Sequence, residues 1–201
     1  MLITFEGIDG CGKTTQAKIL AEHLRSENTE VLLLREPGGT ELSEQVRAVL
    51  LNKTYSHPLT AESELLLFAA SRAQLVSEVI QPTLARGATV ILDRFTDSTV
   101  AYQGFGRGVS LAHIDNINKL VTGGLEPDLT FLIDLPLEVA ANRRKEIAND
   151  RIESENSEFH QKVLEGYWYL ADQHRKRIHV VDGTRSVKEI EEAIWKITNP
   201  N

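Results

Sequence analysis

The sequence predicts a single α/β domain over residues 1–201, with three layers: helices on both faces of a five-stranded parallel sheet. Three observations predict it. Short β-branched or leucine-rich runs alternate with longer helical patterns along the chain, the rhythm of strand, crossover helix and next parallel strand. The residues that follow those runs are polar, as expected where an open α/β sheet binds ligands beyond the carboxyl ends of its strands. The length, 201 residues with 41% hydrophobic content, suffices for one core and calls for no second domain.

In chain order, the first strand is expected at 2–6, where Leu2-Ile3-Thr4-Phe5 is apolar, and it runs through a glycine-rich turn into a helix over 13–26. A second strand at 30–34 leads through Arg35-Glu36-Pro37-Gly38-Gly39 into a helix over 41–52. That segment has a turn-like ending of the kind that joins a strand to a helix. One long helix is expected at 61–86, then a strand at 88–92 ending in Asp93-Arg94-Phe95, and a helix at 110–122. Strand 129–133 is followed by Asp134 and a helix at 136–148; a helix at 155–176, a strand at 178–181 and a helix at 186–197 complete the chain. No internal repeat, low-complexity tract or linker interrupts it.

The glycine-rich turn carries the chemistry. Gly7-Ile8-Asp9-Gly10-Cys11-Gly12-Lys13-Thr14 is a full Walker A match, placed between strand and helix as the motif requires. Its backbone N–H groups can close around phosphate oxygens, Lys13 supplies a cation for β and γ phosphates, and Thr14 offers a hydroxyl to Mg²⁺. The helix beginning there points its positive dipole end at the same anion. A P-loop NTPase fold that binds a nucleoside triphosphate follows.

The bulk composition narrows the partners. A net charge of −7 and a pI near 5.4 argue against broad nucleic-acid binding, which needs clustered Lys and Arg. The lone cysteine, Cys11, allows no intrachain disulfide, and within the loop it reads as a small side chain more than a nucleophile. No basic leader and no apolar run of membrane-spanning length is present, so a cytoplasmic protein without membrane contact is expected. The six histidines show no metal-ligand spacing, which leaves Mg²⁺ as the one expected metal. Tyr167, Trp168 and Tyr169 lie in a helical pattern and read as packing residues.

Asp93 stands where a Walker-B-like carboxylate would hold Mg²⁺ through water or organise a phosphate acceptor. A strand-end aspartate also serves as a helix cap, but the adjacent Arg94 favours an anionic partner. Phe68 and Arg72, spaced i, i+4, project from one side of the long helix, as a base-stacking ring and an edge-reading guanidinium would; core packing and a solvated charge are the alternative. Arg143-Arg144-Lys145 and Arg151 concentrate basic residues in an acidic chain. They suit an arginine-bearing lid over about 142–153 that excludes water and supplies positive charge, where a solvated helix face would otherwise be expected.

Taken together, the segments Phe5 to Thr15, Arg35-Glu36-Pro37-Gly38-Gly39-Thr40, Asp93-Arg94-Phe95, Ser98-Thr99-Val100-Ala101-Tyr102-Gln103-Gly104 and Asp150-Arg151-Ile152-Glu153 resemble the bacterial-type thymidylate kinases, members of the nucleoside monophosphate kinase family. The resemblance runs through nearly the whole chain. It implies direct in-line transfer of a phosphoryl group from ATP to dTMP with Mg²⁺, giving dTDP for dTTP synthesis. It further implies that Gly7, Ile8, Asp9, Gly10, Cys11, Gly12, Lys13, Thr14 and Thr15 hold ATP, with Thr14, Asp9 and Asp93 toward the metal. Phe68 would stack on thymine and Arg72 donate to its O4; Thr99 and Gln103 would hydrogen-bond around the base; Tyr102 would crowd the sugar 2′ position. Arg94 and Arg35 would hold the monophosphate, Asp9 and Glu36 bracket it, and Pro37, Arg47 and Leu51 complete the pocket. Relatives form homodimers, and the same is expected here.

The loop contains no arginine, so the catalytic guanidinium is expected from the lid. Arg143 is assigned to adenine, beside Asp182-Gly183-Thr184, and Arg151 to the transferring phosphate, where its replacement by Ala would lower turnover by roughly 10³. Two other classes compete with this one. A guanine-reading switch would need Asn-Lys-x-Asp, and neither Asn52-Lys53-Thr54-Tyr55 nor Asn118-Lys119-Leu120-Val121 supplies the final acid. A kinase for another deoxynucleoside monophosphate shares the loop and differs only in the base pocket.

Overall fold

A computed structural model describes residues 1–143 and 150–199. Five strands, β1 (Leu2–Glu6), β2 (Val31–Arg35), β3 (Thr89–Asp93), β4 (Leu129–Asp134) and β5 (Ile178–Asp182), form one parallel sheet in the order β2-β3-β1-β4-β5. The central strands are buried on both faces, which is why they read as nearly continuous apolar runs. Successive side chains nevertheless divide between two cores. Ile3 and Phe5 of β1 and Ile91 of β3 join one cluster with Phe131, Val163 and Tyr167. Leu2, Val90 and Leu92 face the other, with Leu75, Val76, Ile80 and Phe95. Chain order reverses at β1, flanked by β3 and β4, so a crevice opens at the carboxyl ends of β1 and β3.

The helices are α1 (Lys13–Ser26), α2 (Glu41–Leu51), α3 (Ala61–Leu75), α4 (Gln81–Ala85), α5 (Thr96–Thr99), α6 (Leu111–Thr122), α7 (Leu137–Arg143), α8 (Ser157–Gln173) and α9 (Val187–Thr198). The expected long helix over 61–86 carries a π-helical turn, Val76–Ile80, between α3 and α4. A helical segment was also missed: α5 continues into a second π-helical stretch, Val100–Gly106. Its glycines disguised it, because glycine weakens a helical pattern. They serve packing instead. A Cβ on Gly106 would lie 2.6 Å from the Phe159 ring, and one on Gly166 of α8 would lie 2.9 Å from Ala101 Cα. Close approach of α8 to this stretch requires both to be bare. Arg144, Lys145 and the end of the helix expected at 136–148 lie outside the described residues.

Candidate active site

The loop from β1 to α1 has its shape for steric reasons. Gly7 takes φ +136, and a Cβ there would lie 2.6 Å from the Ile133 carbonyl oxygen. Gly12 takes φ +102 and leads into α1, whose first N–H groups have no side-chain cap. Uncapped amides at a helix start suit an anion. Lys13 is buried within this loop, donating to the Ile8 carbonyl at 3.2 Å and to Asp9 Oδ1 at 3.1 Å. Burial pushes the Cys11 thiol up, against Lys13, which makes it an inert filler. From α7, Arg143 donates to the Gly183 carbonyl at 3.0 Å and reaches the Gly10 carbonyl at 3.5 Å, so it stands on the donor side beside the Asp182-Gly183-Thr184 turn.

Across the crevice, Thr14 Oγ1 donates to Asp93 Oδ2 at the end of β3. A hydroxyl and a carboxylate oxygen side by side at the loop mouth are hard oxygen donors. They fit Mg²⁺, which is ordinarily held by one or two protein oxygens with phosphates and water. Asp9 is differently engaged: Arg94 at 2.7 Å and Lys13 at 3.1 Å both pair with its Oδ1. Burial alone would raise its carboxyl, but those two cations outweigh burial and hold it well below the usual carboxylate range.

Arg94 has φ +74, rare for a residue with a side chain. Its surroundings fix that geometry. Nη1 donates to the Gly7 carbonyl at 3.0 Å, Ser98 Oγ at 3.1 Å and Tyr167 OH at 3.0 Å; Nη2 donates to Asp9, and to Tyr102 OH at 3.2 Å. The guanidinium also lies 5.0 Å from the Tyr102 ring centroid. Beneath this group is Glu6, fully buried, whose Oε1 accepts from Phe95 N at 2.7 Å and Oε2 from Ser98 Oγ at 2.6 Å and Tyr167 OH at 3.0 Å. Burial first, then Asp97, pushes its carboxyl up to about 7, against the hydrogen bond from Ser98 and the charge of Arg94. Sequence reading assigned Glu6 and Ser98 no role and gave Tyr167 only packing. The available signal was position: Glu6 ends the strand that feeds the loop, and Ser98 lies one turn after Arg94.

Asp9, Lys13, Thr14 and Arg94 line one end of a cavity of about 590 Å³, within the range of small-ligand sites. Its other walls include Arg35, Glu36, Pro37, Arg47, Leu51, Phe68, Arg72, Thr99, Tyr102 and Gln103, so the residues expected around the acceptor share one space. Arg35 and Arg47 both donate to the Pro37 carbonyl, at 2.8 and 3.0 Å. Burial and then the neighbouring Arg35 lower the Arg47 guanidinium, as expected of crowded cations at an anion site.

Arg72 departs from expectation. Nε and Nη2 meet Glu36 Oε2 at 2.8 and 2.7 Å, Nη1 donates to Thr99 Oγ1 at 2.8 Å and Asn118 Oδ1 at 3.0 Å, and Nη2 donates to the Phe95 carbonyl at 3.0 Å. Four of its five N–H groups are hydrogen-bonded and Nη2 also lies in charge contact with Glu36 Oε2, so a base O4 meets a guanidinium already largely engaged. Its 2% exposure is tolerated because of those acceptors. Glu36 Oε1 is left buried and without a partner among the described residues.

Arg151 also lies elsewhere than expected. Its Nε donates to the Leu50 carbonyl at 2.8 Å and its Nη2 lies 2.7 Å from Glu64 Oε2, a charge contact without hydrogen-bond alignment. It therefore faces α2 and α3 and not the phosphate loop. The reason is Glu64, an α3 carboxylate 1% exposed that draws in every available donor. Arg107 contributes bonds of 3.1 Å to each oxygen and Gln103 Nε2 one of 2.9 Å. Burial would raise Glu64, but hydrogen bonds from Arg107 and Gln103, with Arg151, lower it and keep it ionised. Asp150, Ile152 and Glu153, from the same segment, do line the cavity.

The sequence and this architecture have named counterparts. A family model described as thymidylate kinase matches residues 5–194. A thymidylate kinase of Kosmotoga olearia is 49% identical over 197 residues, covering 98% of this chain and 94% of that one. A thymidylate kinase of Geotalea daltonii is 50% identical over 200 residues, covering 96% and 93%. Among solved structures, thymidylate kinase from Ehrlichia chaffeensis aligns with a TM-score of 0.81 at 38% identity, over 99% of this chain and 98% of that one.

Proposed function

Since the chain belongs to the thymidylate kinase family and so is an ATP:dTMP phosphotransferase, we propose that its residues divide the reaction between a donor loop, an acceptor cavity and a bridge made by Asp9. The loop Gly7 to Thr15 takes the ATP phosphates, with Arg143 toward adenine. Phe68, Thr99, Tyr102 and Gln103 take the nucleoside of dTMP, and Arg35, Arg47 and Arg94 its phosphate, with Glu36, Pro37, Leu51 and Arg72 behind them. The observation that carries this division is that Asp9 joins Lys13 at 3.1 Å to Arg94 at 2.7 Å. The cation for the donor phosphates and the cation for the acceptor phosphate are thereby set at a fixed separation, which in-line transfer needs.

A dTMP phosphate oxygen is already nucleophilic at neutral pH, so no covalent intermediate and no strong base are required. Thr14 and Asp93 would hold Mg²⁺, which when bound neutralises charge on the β and γ phosphates. Asp93 would thus serve as a ligand and organiser, while Lys13 and Arg94 stabilise charge on the transferring group. Arg151 ties the lid's end to α3. The chain works as one domain, with an expected lid over about 142–153 of which 144–149 lie outside the described residues, and as a homodimer: α3 and α6 pack together and carry the exposed Leu66 and Leu120. No helix among the described residues is long and apolar enough to cross a membrane, and the single cysteine agrees with a cytoplasmic enzyme. The test is ATP- and Mg²⁺-dependent ADP formation with dTMP, dUMP, dCMP, dGMP, AMP or no acceptor. Strong preference for dTMP with dUMP a weaker second is expected; preference for another monophosphate overturns the base-pocket assignment, and acceptor-independent hydrolysis overturns the transfer reading.

A further inference from the structure

We propose that Glu64 is the positioning residue that decides which base edge the acceptor cavity reads, by fixing the side-chain amide of Gln103 with its oxygen toward the ligand. The inference rests on the dTMP reading of the cavity. Glu64 touches no substrate in it; it acts through Gln103.

The argument begins with hydrogen-bond inventory. An ionised carboxylate only accepts, so the group of Gln103 lying 2.9 Å from Glu64 Oε1 must be the NH₂. Rotating that amide would set oxygen against a buried carboxylate oxygen, two acceptors facing each other with no proton between them. Gln103 lines the cavity, and none of the described residues donates to its Oε1, which is left for a ligand N–H. One helical turn earlier, on the same wall, Thr99 is set the opposite way. Its oxygen accepts from Arg72 Nη1 at 2.8 Å, and its own proton has no acceptor among the described residues. The wall therefore offers a donor at Thr99 beside an acceptor at Gln103. The edge of thymine or uracil, with acceptor O4 beside donor N3–H, complements it; cytosine, with donor N4–H₂ beside acceptor N3, opposes both positions. Glu64 is held ionised by Arg107 and approached by Arg151, so the same carboxylate that orients the base reader also anchors the end of the lid.

The test is Glu64→Gln, whose neutral amide can donate or accept and so releases Gln103 to turn over. The ratio of kcat/KM for dTMP to that for dCMP is expected to fall by about tenfold or more, with KM for dTMP rising more than kcat falls. In a Gln103→Leu background the same Glu64 change is expected to leave the ratio where it was. A purely structural Glu64 would lower both acceptors alike, and an unchanged ratio overturns the proposal. A wild-type enzyme without dTMP preference overturns the dTMP reading together with it, so the two failures are distinguishable. Should Glu64→Gln fail to fold, exchange of the Gln103 side-chain NH₂ with solvent in the ¹⁵N-glutamine-labelled wild-type protein decides the matter. Slow exchange is expected, and exchange as fast as that of exposed glutamines overturns the proposal.

Discussion

Replacing Arg151 by Ala separates two roles that sequence alone leaves joined. A guanidinium that reaches the transferring phosphate is worth roughly 10³ or more in turnover. The structure directs Arg151 elsewhere, to Glu64 Oε2 at 2.7 Å and the Leu50 carbonyl at 2.8 Å, with the Arg151 side chain 14% exposed and that of Glu64 1%. Breaking a buried ion pair outright costs about 3–5 kcal/mol. Here Glu64 keeps Arg107 and Gln103, so the expected loss is smaller, about 2 kcal/mol. For a chain of 201 residues that corresponds to a Tm fall of roughly 4–8 °C. Calorimetry and steady-state kinetics on Arg151→Ala, both at pH 7.5, measure the two quantities together. Lower stability with kcat reduced less than about tenfold is expected. An unchanged Tm with a turnover loss near 10³ would refute the assignment and return Arg151 to the phosphates.

Three further outcomes follow from named contacts. The Glu6 carboxyl, raised by burial to about 7, favours folding while protonated; stability from this group is present below the unfolded value of about 4.5 and lost as pH rises through 7. Glu6→Gln, which stays neutral across this range, should therefore gain on wild type between pH 4.5 and 8 by on the order of 2–3 kcal/mol, and parallel denaturation curves for the two proteins across that range would contradict it. Gly7→Ala places a Cβ 2.6 Å from the Ile133 carbonyl oxygen at φ +136, a strain of roughly 3 kcal/mol or more, and should abolish ATP binding by calorimetric titration; ordinary binding would show that the loop yields easily. Arg143→Ala should raise KM for ATP by about tenfold, as loss of a cation stacked on a base would, and leave KM for dTMP alone, because Arg143 bonds to the Gly10 and Gly183 carbonyls beside the phosphate loop; an equal rise in both would place it at the acceptor.

What the sequence disclosed, and what it did not, divides along a physical line. Where phosphate chemistry requires particular residue types at a loop spacing, as in Gly7 to Thr14 or Asp93-Arg94, the pattern is local and was readable. The sheet was equally legible, since central strands buried on both faces must be apolar throughout. The helical segment from Thr96 to Gly106 was hidden because Gly104 and Gly106 answer to their packing partners Leu111 and Phe159 and not to helix propensity. Hidden for a related reason were the side chains that orient others. Glu64 looks like any solvated acid in a helical pattern, and only the fold reveals that Arg107, 43 residues away, and Arg151 converge on it.

The same convergence recurs at each buried carboxylate near the cavity. Asp97 is held by Arg177, 80 residues on, through bonds of 2.7 and 2.8 Å; Glu36 is held by Arg72, 36 residues on; Glu6 is held by the Phe95 amide and the hydroxyls of Ser98 and Tyr167. A carboxyl group removed from water needs hydrogen-bond partners, so each of these donors is fixed in direction as well as in place. Direction is what a binding wall adds to a list of lining residues. Thr99 is made a donor by Arg72, and Gln103 an acceptor by Glu64. Selectivity for a base edge thus originates one layer behind the surface that touches it, in ion pairs formed between segments far apart in the chain.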